Sequence, residues 1–289
     1  MQKRNIFNSP RLKELHKKKN RVVMMKVSVL VFLFLTFLTG LGFLSRLPKL
    51  NIQNVTITGN KVVTTEAIEK AIKEELGGFY LSIFPKTNFL FYPKNKIRTR
   101  LIDEFTRLKD VTPNIKNMNT LEVFLTERVA FYTWCGDNLS KTELEFKDCY
   151  FMDEASYIFE EAPYFSSDVY FRFFGKTEKK NENVLGSVFY PEIWNGIISF
   201  KKNITEMGLK PSSMFIKDDG DIELYLISSV SPPDAQKIIF KSNADFRKVA
   251  ENLQAALTTE PLQSDLKNKY SSLLYIDLRF GNKVYFKFK

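Results

Sequence analysis

The sequence predicts an α+β protein with an N-terminal transmembrane helix, a small domain of order β-α-α-β-β, and a β-rich domain with an antiparallel sheet and covering helices. Three observations carry this. Residues 27–44 hold no charge and are numerous enough to cross a bilayer core of about 30 Å at about 1.5 Å per residue. Next, strand-like alternation and helical spacing succeed one another between residues 54 and 127. Finally, the sequence ends on two alternating runs, residues 274–280 and 284–288, around Gly281-Asn282-Lys283, the pattern of two strands joined by a tight loop.

The apolar run follows a basic tail. Lys3, Arg4, Arg11, Lys13, Lys17, Lys18, Lys19, Arg21 and Lys26 stand against Glu14. Subtracting these nine bases and one acid from the 43 and 33 of the whole chain leaves 34 and 32, so +8 of the net charge of +10 belongs to the tail and about +2 to the rest. A nucleic-acid-binding exterior loses its main support. Ser45-Arg46-Leu47-Pro48-Lys49 does not have the small-x-small form of a cleavage site, so the span is read as an uncleaved anchor. The positive-inside bias keeps residues 1–25 in the cytoplasm, runs the helix over 26–45 and puts the rest outside. Gly40 and Gly42 near the outer end lack GxxxG spacing and are read as small residues tolerated in lipid.

Residues 54–60 alternate and stop at Gly59-Asn60, a strand and turn. Thr64 heads a helix with acid in its first turn and a stop at Gly77-Gly78. A second helix is read over residues 97–105, with Ile97, Leu101, Ile102 and Phe105 on one face. A weak strand at 113–118 and a strong one at 121–127 complete a domain over residues 50–127. The stretch between its helices, residues 79–93, is unusually aromatic; it reads either as a cover over the domain core or as a contact with a partner or the membrane interface.

From 128 to 289 strands alternate with helices at 192–207 and 246–257. Segments 214–217 and 223–227 form a hairpin around Asp218-Asp219-Gly220-Asp221, whose aspartates are read as turn residues. The closing hairpin is given a three-residue loop, because Phe280 then meets Val284, Leu278 meets Phe286 and Ile276 meets Phe288 on one apolar face. If no other segment covers its outer side, the strand at 284–288 leaves main-chain groups open to another chain.

The only histidine is His16, in the tail, so Ser-His-Asp, Cys-His and His-containing zinc sites are excluded outside. No cofactor, metal or small-molecule substrate is expected. Cys135 and Cys149 bracket residues 136–148, and runs 131–134 and 150–153 would pair as neighbouring strands. A disulfide is expected, contributing about 3 kcal/mol by closing the loop.

The opening strand with Gly59, the segment Asn119-Thr120-Leu121-Glu122-Val123-Phe124-Leu125-Thr126-Glu127-Arg128, the run Tyr150-Phe151-Met152-Asp153 through Ile158-Phe159 and Pro163, and the ending Tyr275-Ile276-Asp277-Leu278-Arg279-Phe280 resemble the FtsQ/DivIB family of bacterial cell-division proteins. The chain departs from that family in lacking an aromatic-Pro pair before Asn119 and in the long stretch between the first two helices. The resemblance implies a POTRA domain, a second β-rich domain, and a non-enzymatic scaffold linking division proteins at the septum to wall synthesis. The implied partners are small single-span coiled-coil proteins of the FtsB/DivIC and FtsL type, with other division membrane proteins meeting the POTRA domain. They would be held at the closing strand, on Phe280, Lys283, Val284, Tyr285, Phe286, Lys287 and Phe288. A POTRA-bearing assembly or secretion component and a membrane-anchored wall enzyme are the alternatives.

Overall fold

Proline at the first helical position costs no hydrogen bond, and in the computed structural model a single helix, α1 (Pro10–Ser45), starts there and runs through the basic segment into the apolar one. Its stretch His16–Ser45 is long and apolar enough to cross a membrane. The structure describes residues 10–139, 149–165, 169–177, 183–228, 232 and 234–289. These form two units. One runs up to Phe105 and includes Asp110–Thr126; the other joins Thr106–Lys109 to Glu127–Lys289.

The first unit contains β1 (Asn54–Thr58), α2 (Thr65–Leu76), the small hairpin β2 (Phe79–Tyr80) and β3 (Phe84–Pro85), α3 (Lys94–Glu104), and the strands β4 (Leu108–Asn117) and β5 (Thr120–Glu127). The sheet order is β1-β5-β4, with β1 parallel to β5, Val55 opposite Leu121 and Ile57 opposite Val123. Ile68, Ala71, Ile72 and Leu76 recur on one face of α2 and are buried with Ile97 and Leu101 of α3 over Val111, Leu121 and Val123. Phe105 lies outside α3 and is half-buried. Strand β4 starts well before the expected 113, because Leu108 and Val111 are core residues that the intervening Lys109 and Asp110 disguise. After β1 the chain turns at Gly59 with φ +98°, and a Cβ there would strike the Leu125 carbonyl.

The second unit holds a nine-stranded sheet in the order β14-β13-β12-β11-β10-β9-β6-β7-β8. Its strands are β6 (Tyr132–Trp134), β7 (Tyr150–Met152), β8 (Ile158–Glu161), β9 (Phe171–Phe174), β10 (Pro211–Ile216), β11 (Asp221–Leu226), β12 (Lys237–Lys241), β13 (Leu273–Phe280) and β14 (Lys283–Phe288). The helices are α4 (Trp194–Glu206), α5 (Phe246–Leu257) and α6 (Leu262–Lys269). The sheet is mixed, where an antiparallel one was expected: β9 runs parallel to β6 and β10, and β12 runs parallel to β13. For β9 with β10 and for β12 with β13 the helices are the reason. A tight turn can only reverse a strand, whereas α4 between β9 and β10, and α5 with α6 between β12 and β13, carry the chain back to start the next strand in the same direction. Ile197, Phe200 and Ile204 of α4 and Val249 and Leu253 of α5 bury against Met214, Ile222, Leu224, Ile238, Phe240 and Ile276.

Strands β6 and β7 pair antiparallel with Trp134 opposite Tyr150, which brings Cys135 and Cys149 together; their sulfurs are joined. Ala162 and Phe174 complete a small apolar cluster around them.

Two predictions follow from these packings. Gly59→Ala should destabilise the first unit by about 1–3 kcal/mol, from a positive φ alone, and by more if Leu125 cannot move; chemical denaturation of wild type and variant measures it. Reduction of Cys135–Cys149 should lower the unfolding free energy of the second unit by about 3 kcal/mol, seen as a lower denaturant midpoint under reductant, with a slope that does not fall because the released unfolded chain exposes at least as much surface.

Candidate functional site

The closing hairpin forms one edge of the large sheet, and its register differs from the expected one. Phe280 pairs with Lys283, leaving a two-residue loop of Gly281 (φ +66°) and Asn282 whose Gly281 carbonyl accepts from the Asn252 side chain of α5 at 2.9 Å. Further along, Asp277 pairs with Tyr285 and Ile276 with Phe286. Leu278 and Arg279 therefore share a single opposing residue, Val284, in a β-bulge. The bulge is what a simple alternation cannot supply. It lets a two-residue loop coexist with Val284, Phe286 and Phe288 facing the core, and a second irregularity near Leu274 leaves Phe288 opposite Leu273. The Asp277 carboxylate holds the bulge by accepting the Arg279 N–H at 3.1 Å.

On the opposite face the side chains form an ion network. Asp277 also accepts from the Arg279 side chain through Nε at 2.9 Å and Nη2 at 2.6 Å, while Nη1 donates to Asp221 on β11 at 2.6 Å. Lys241 on β12 contacts the other Asp221 oxygen. One residue pair along, Glu223 binds Lys217 at 2.6 Å and Lys237 at 3.1 Å and accepts from the Tyr225 hydroxyl. All three carboxylates are buried. Burial alone would raise the Asp221 and Glu223 pKa values, but Lys241 and Arg279 pull the first below its ordinary value, and Lys217, Tyr225 and Lys237 do the same for the second. Arg279 is held more basic than usual, chiefly by Asp277, and the Tyr225 hydroxyl is pushed up by burial and by Glu223.

Direction of the β14 main-chain groups follows from one bond. Lys289 N–H donates to Ser272 at 2.8 Å, toward β13. Alternation along β14 then turns Lys283, Tyr285 and Lys287 N–H inward and Val284, Phe286 and Phe288 N–H outward. Among the described residues no strand pairs with that outer side. The other end of the sheet differs: at β8, Ile158 exchanges hydrogen bonds with Gly186 and Ser187, and Thr106 Oγ1 donates to the Phe159 carbonyl at 2.6 Å. Among the described residues one edge is capped and one is open.

Side chains around the open edge divide by face. Val284, Phe286 and Phe288 are half-buried against the core; Lys283, Tyr285 and Lys287 are exposed on the other face, where the Tyr285 and Phe280 rings meet edge-on at 5.3 Å. Thus six of the residues singled out for partner binding line β14 itself, and Phe280 flanks it from β13. Asp221, Glu223 and Arg279 were not among them. Asp218 and Asp219 are turn residues, Asp219 accepting the Asp221 N–H at 3.0 Å and Asp218 also pairing with exposed Lys176; Asp221 is a buried strand residue, correcting the turn role expected for it. Alternation of Asp221, Glu223 and Tyr225 with Ile222, Leu224 and Leu226 was the available signal. Among the described residues no group of three or more His, Cys, Asp or Glu is placed to hold a metal ion.

Residues 50–128 match the family model of the POTRA domain, FtsQ-type. No curated protein matches the chain.

Because the folded-state pKa values of Asp221 and Glu223 lie below their ordinary ones, the stability they contribute is present above the ordinary carboxylate range, near pH 4, and is lost as pH falls through the folded values. Thermal melts from pH 7 to pH 2 should show a steeper acid decline for wild type than for Glu223→Gln. Arg279→Met, which leaves buried Asp277 without a cation and Asp221 with Lys241 alone, should cost about 3 kcal/mol at neutral pH.

Proposed function

We propose that this chain, supported as a member of the FtsQ/DivIB family by its FtsQ-type POTRA domain, is a non-enzymatic scaffold of bacterial cell division. It would link septal division proteins across the cytoplasmic membrane and coordinate wall synthesis there. Three features support the reading. A single N-terminal helix suits a single-pass anchor, with the basic tail inside and both units outside. The sole histidine lies in that tail, which removes the commonest acid–base and nucleophilic sites from the exterior. The observation that carries the proposal is the open β14 edge, which can take an added strand.

On this reading a small coiled-coil partner of the FtsB/DivIC type, with its FtsL-type companion, places a strand beside β14. Main-chain bonds to Val284, Phe286 and Phe288 give affinity, and exposed Lys283, Tyr285 and Lys287 select the partner, the lysines favouring acidic side chains. Other division membrane proteins meet the POTRA domain. The Cys135–Cys149 bond forms on export to the oxidising exterior.

Comparing Val284→Ala with Val284→Pro tests the edge. Both lose the half-buried side chain, but only proline removes an outward N–H and places its ring where a partner strand would lie. Both variants should fold with similar melting temperatures. Partner capture should survive in the alanine form and fall at least tenfold in the proline form, roughly the worth of one or two strand hydrogen bonds. Equal capture by the two would place the partner elsewhere, and fluorescence spread evenly around the envelope, with no band at mid-cell, would remove the division role.

A further inference from the structure

The aromatic stretch between α2 and α3 is locked onto the outer end of α1. Carbonyls in the last turn of a helix have no partner within it. Here the buried Asn88 side chain donates to the Ser45 carbonyl at 3.0 Å, and Asn51 donates to Ser45 at 2.9 Å and Leu47 at 2.8 Å. Thr87 Oγ1 in turn holds the Asn51 side-chain oxygen at 2.7 Å, and main-chain bonds join Ile52 to Thr87 and Phe89 to Leu50. Arg46 donates to the Ser82 carbonyl at 3.3 Å and lies over the Phe79 ring at 5.3 Å. Gly42 has a specific task in this contact, beyond being tolerated in lipid: a Cβ on it would strike the Ile83 side chain.

That contact fixes a depth. Gly42 lies three residues before the end of α1, about 4.5 Å down its axis at about 1.5 Å per residue, inside the stretch apolar enough to span a membrane. The loop therefore descends beside the helix to the level of its last apolar turn. What it presents there is unsuited to water. Leu81 is 86% exposed and Leu90 69%, with Phe79 and Phe91 about half exposed; Phe43 and Leu44, in the same turn of α1 as Gly42, are exposed as well. Leu81 and Ser82 both hold positive φ, +50° and +60°, a conformation that costs a residue other than glycine energy to adopt. The strain turns a leucine outward from its own domain.

We propose that residues 79–91 are a second membrane contact, a foot seated in the headgroup–acyl boundary of the outer leaflet, with Leu81, Phe79, Leu90 and Phe91 in the apolar layer and Arg46 at phosphate level. The occupant is lipid, because the patch is continuous with the exposed face of the helix that must itself lie in lipid. The foot rests on α1 crossing the membrane. It adds that the first unit touches the bilayer at two places, which fixes its tilt.

The test uses the full chain in vesicles of phosphatidylcholine and phosphatidylglycerol with and without brominated acyl chains, and tryptophan as reporter. The native Trp134 and Trp194 are buried in the second unit and supply a constant background. Leu81→Trp should emit at shorter wavelength than Val62→Trp, beyond the far end of β1, and lose roughly half its added emission to bromine, as expected for a side chain seated at the interface. Leu90→Trp, which lacks the positive φ, reports independently on the same surface. Phe34→Trp, within the span, monitors insertion of α1. Quenching of Phe34→Trp with none at either loop position would overturn the foot alone and leave the patch to a protein partner. No quenching at Phe34→Trp would overturn anchor and foot together.

Discussion

Arg279 makes three hydrogen bonds with its guanidinium, two to Asp277 on its own strand and one across β12 to Asp221 on β11, and the end of the large sheet is shaped by them. A planar fork that stays charged suits this position, whereas a lysine would satisfy one carboxylate at a time. Asp277 is thereby held where its oxygen also receives the Arg279 N–H, and the extra residue of the bulge stays in place. From the bulge follows the face that β14 shows to the core; from that face follows which of its main-chain groups point away from the sheet. An ion network on one side of the sheet thus sets a hydrogen-bonding edge at its margin.

Such a network is unusual in being buried without a layer of helices above it. The helices cover the other face, where the apolar side chains of β10 to β13 lie. On the ionic face the stems of Lys217, Lys237 and Lys241 and the guanidinium of Arg279 lie against the carboxylates and remove them from water. Leaving such groups buried and unpaired costs several kcal/mol, so four cations around three carboxylates is a requirement of the arrangement. Both faces of β11 are consequently closed, one by hydrocarbon and one by charge.

Much of this was written plainly in the sequence. The helices α2, α4 and α5 carry apolar residues at helical spacing and were found where expected, and the paired runs around Cys135 and Cys149 declared themselves by their symmetry about the loop. What escaped was information that is not local. Parallel pairing of β12 with β13 depends on where a helix returns the chain, and nothing in Lys237–Lys241 states it. The bulge at Leu278-Arg279 looks like uninterrupted alternation until Asp277 is seen to bind the backbone two residues on. Asp221 resembled its neighbours Asp218 and Asp219 because sequence proximity hides that one is the first residue of a strand. In the candidate edge, residue identities were legible, while the direction of each N–H needed a bond from Lys289.

The clamp at Ser45 has a mechanical corollary. A membrane helix joined to its domain by a free linker can spin about its axis without turning the domain. Here Asn51 and Asn88 grip the terminal carbonyls while Ile83 packs on Gly42, so swivel about the junction is removed. Azimuth within the bilayer and azimuth of the β1-β5-β4 sheet become one coordinate. Any helix that packed on a chosen side of α1 in lipid would thereby select which side of the POTRA domain the chain attached to it meets.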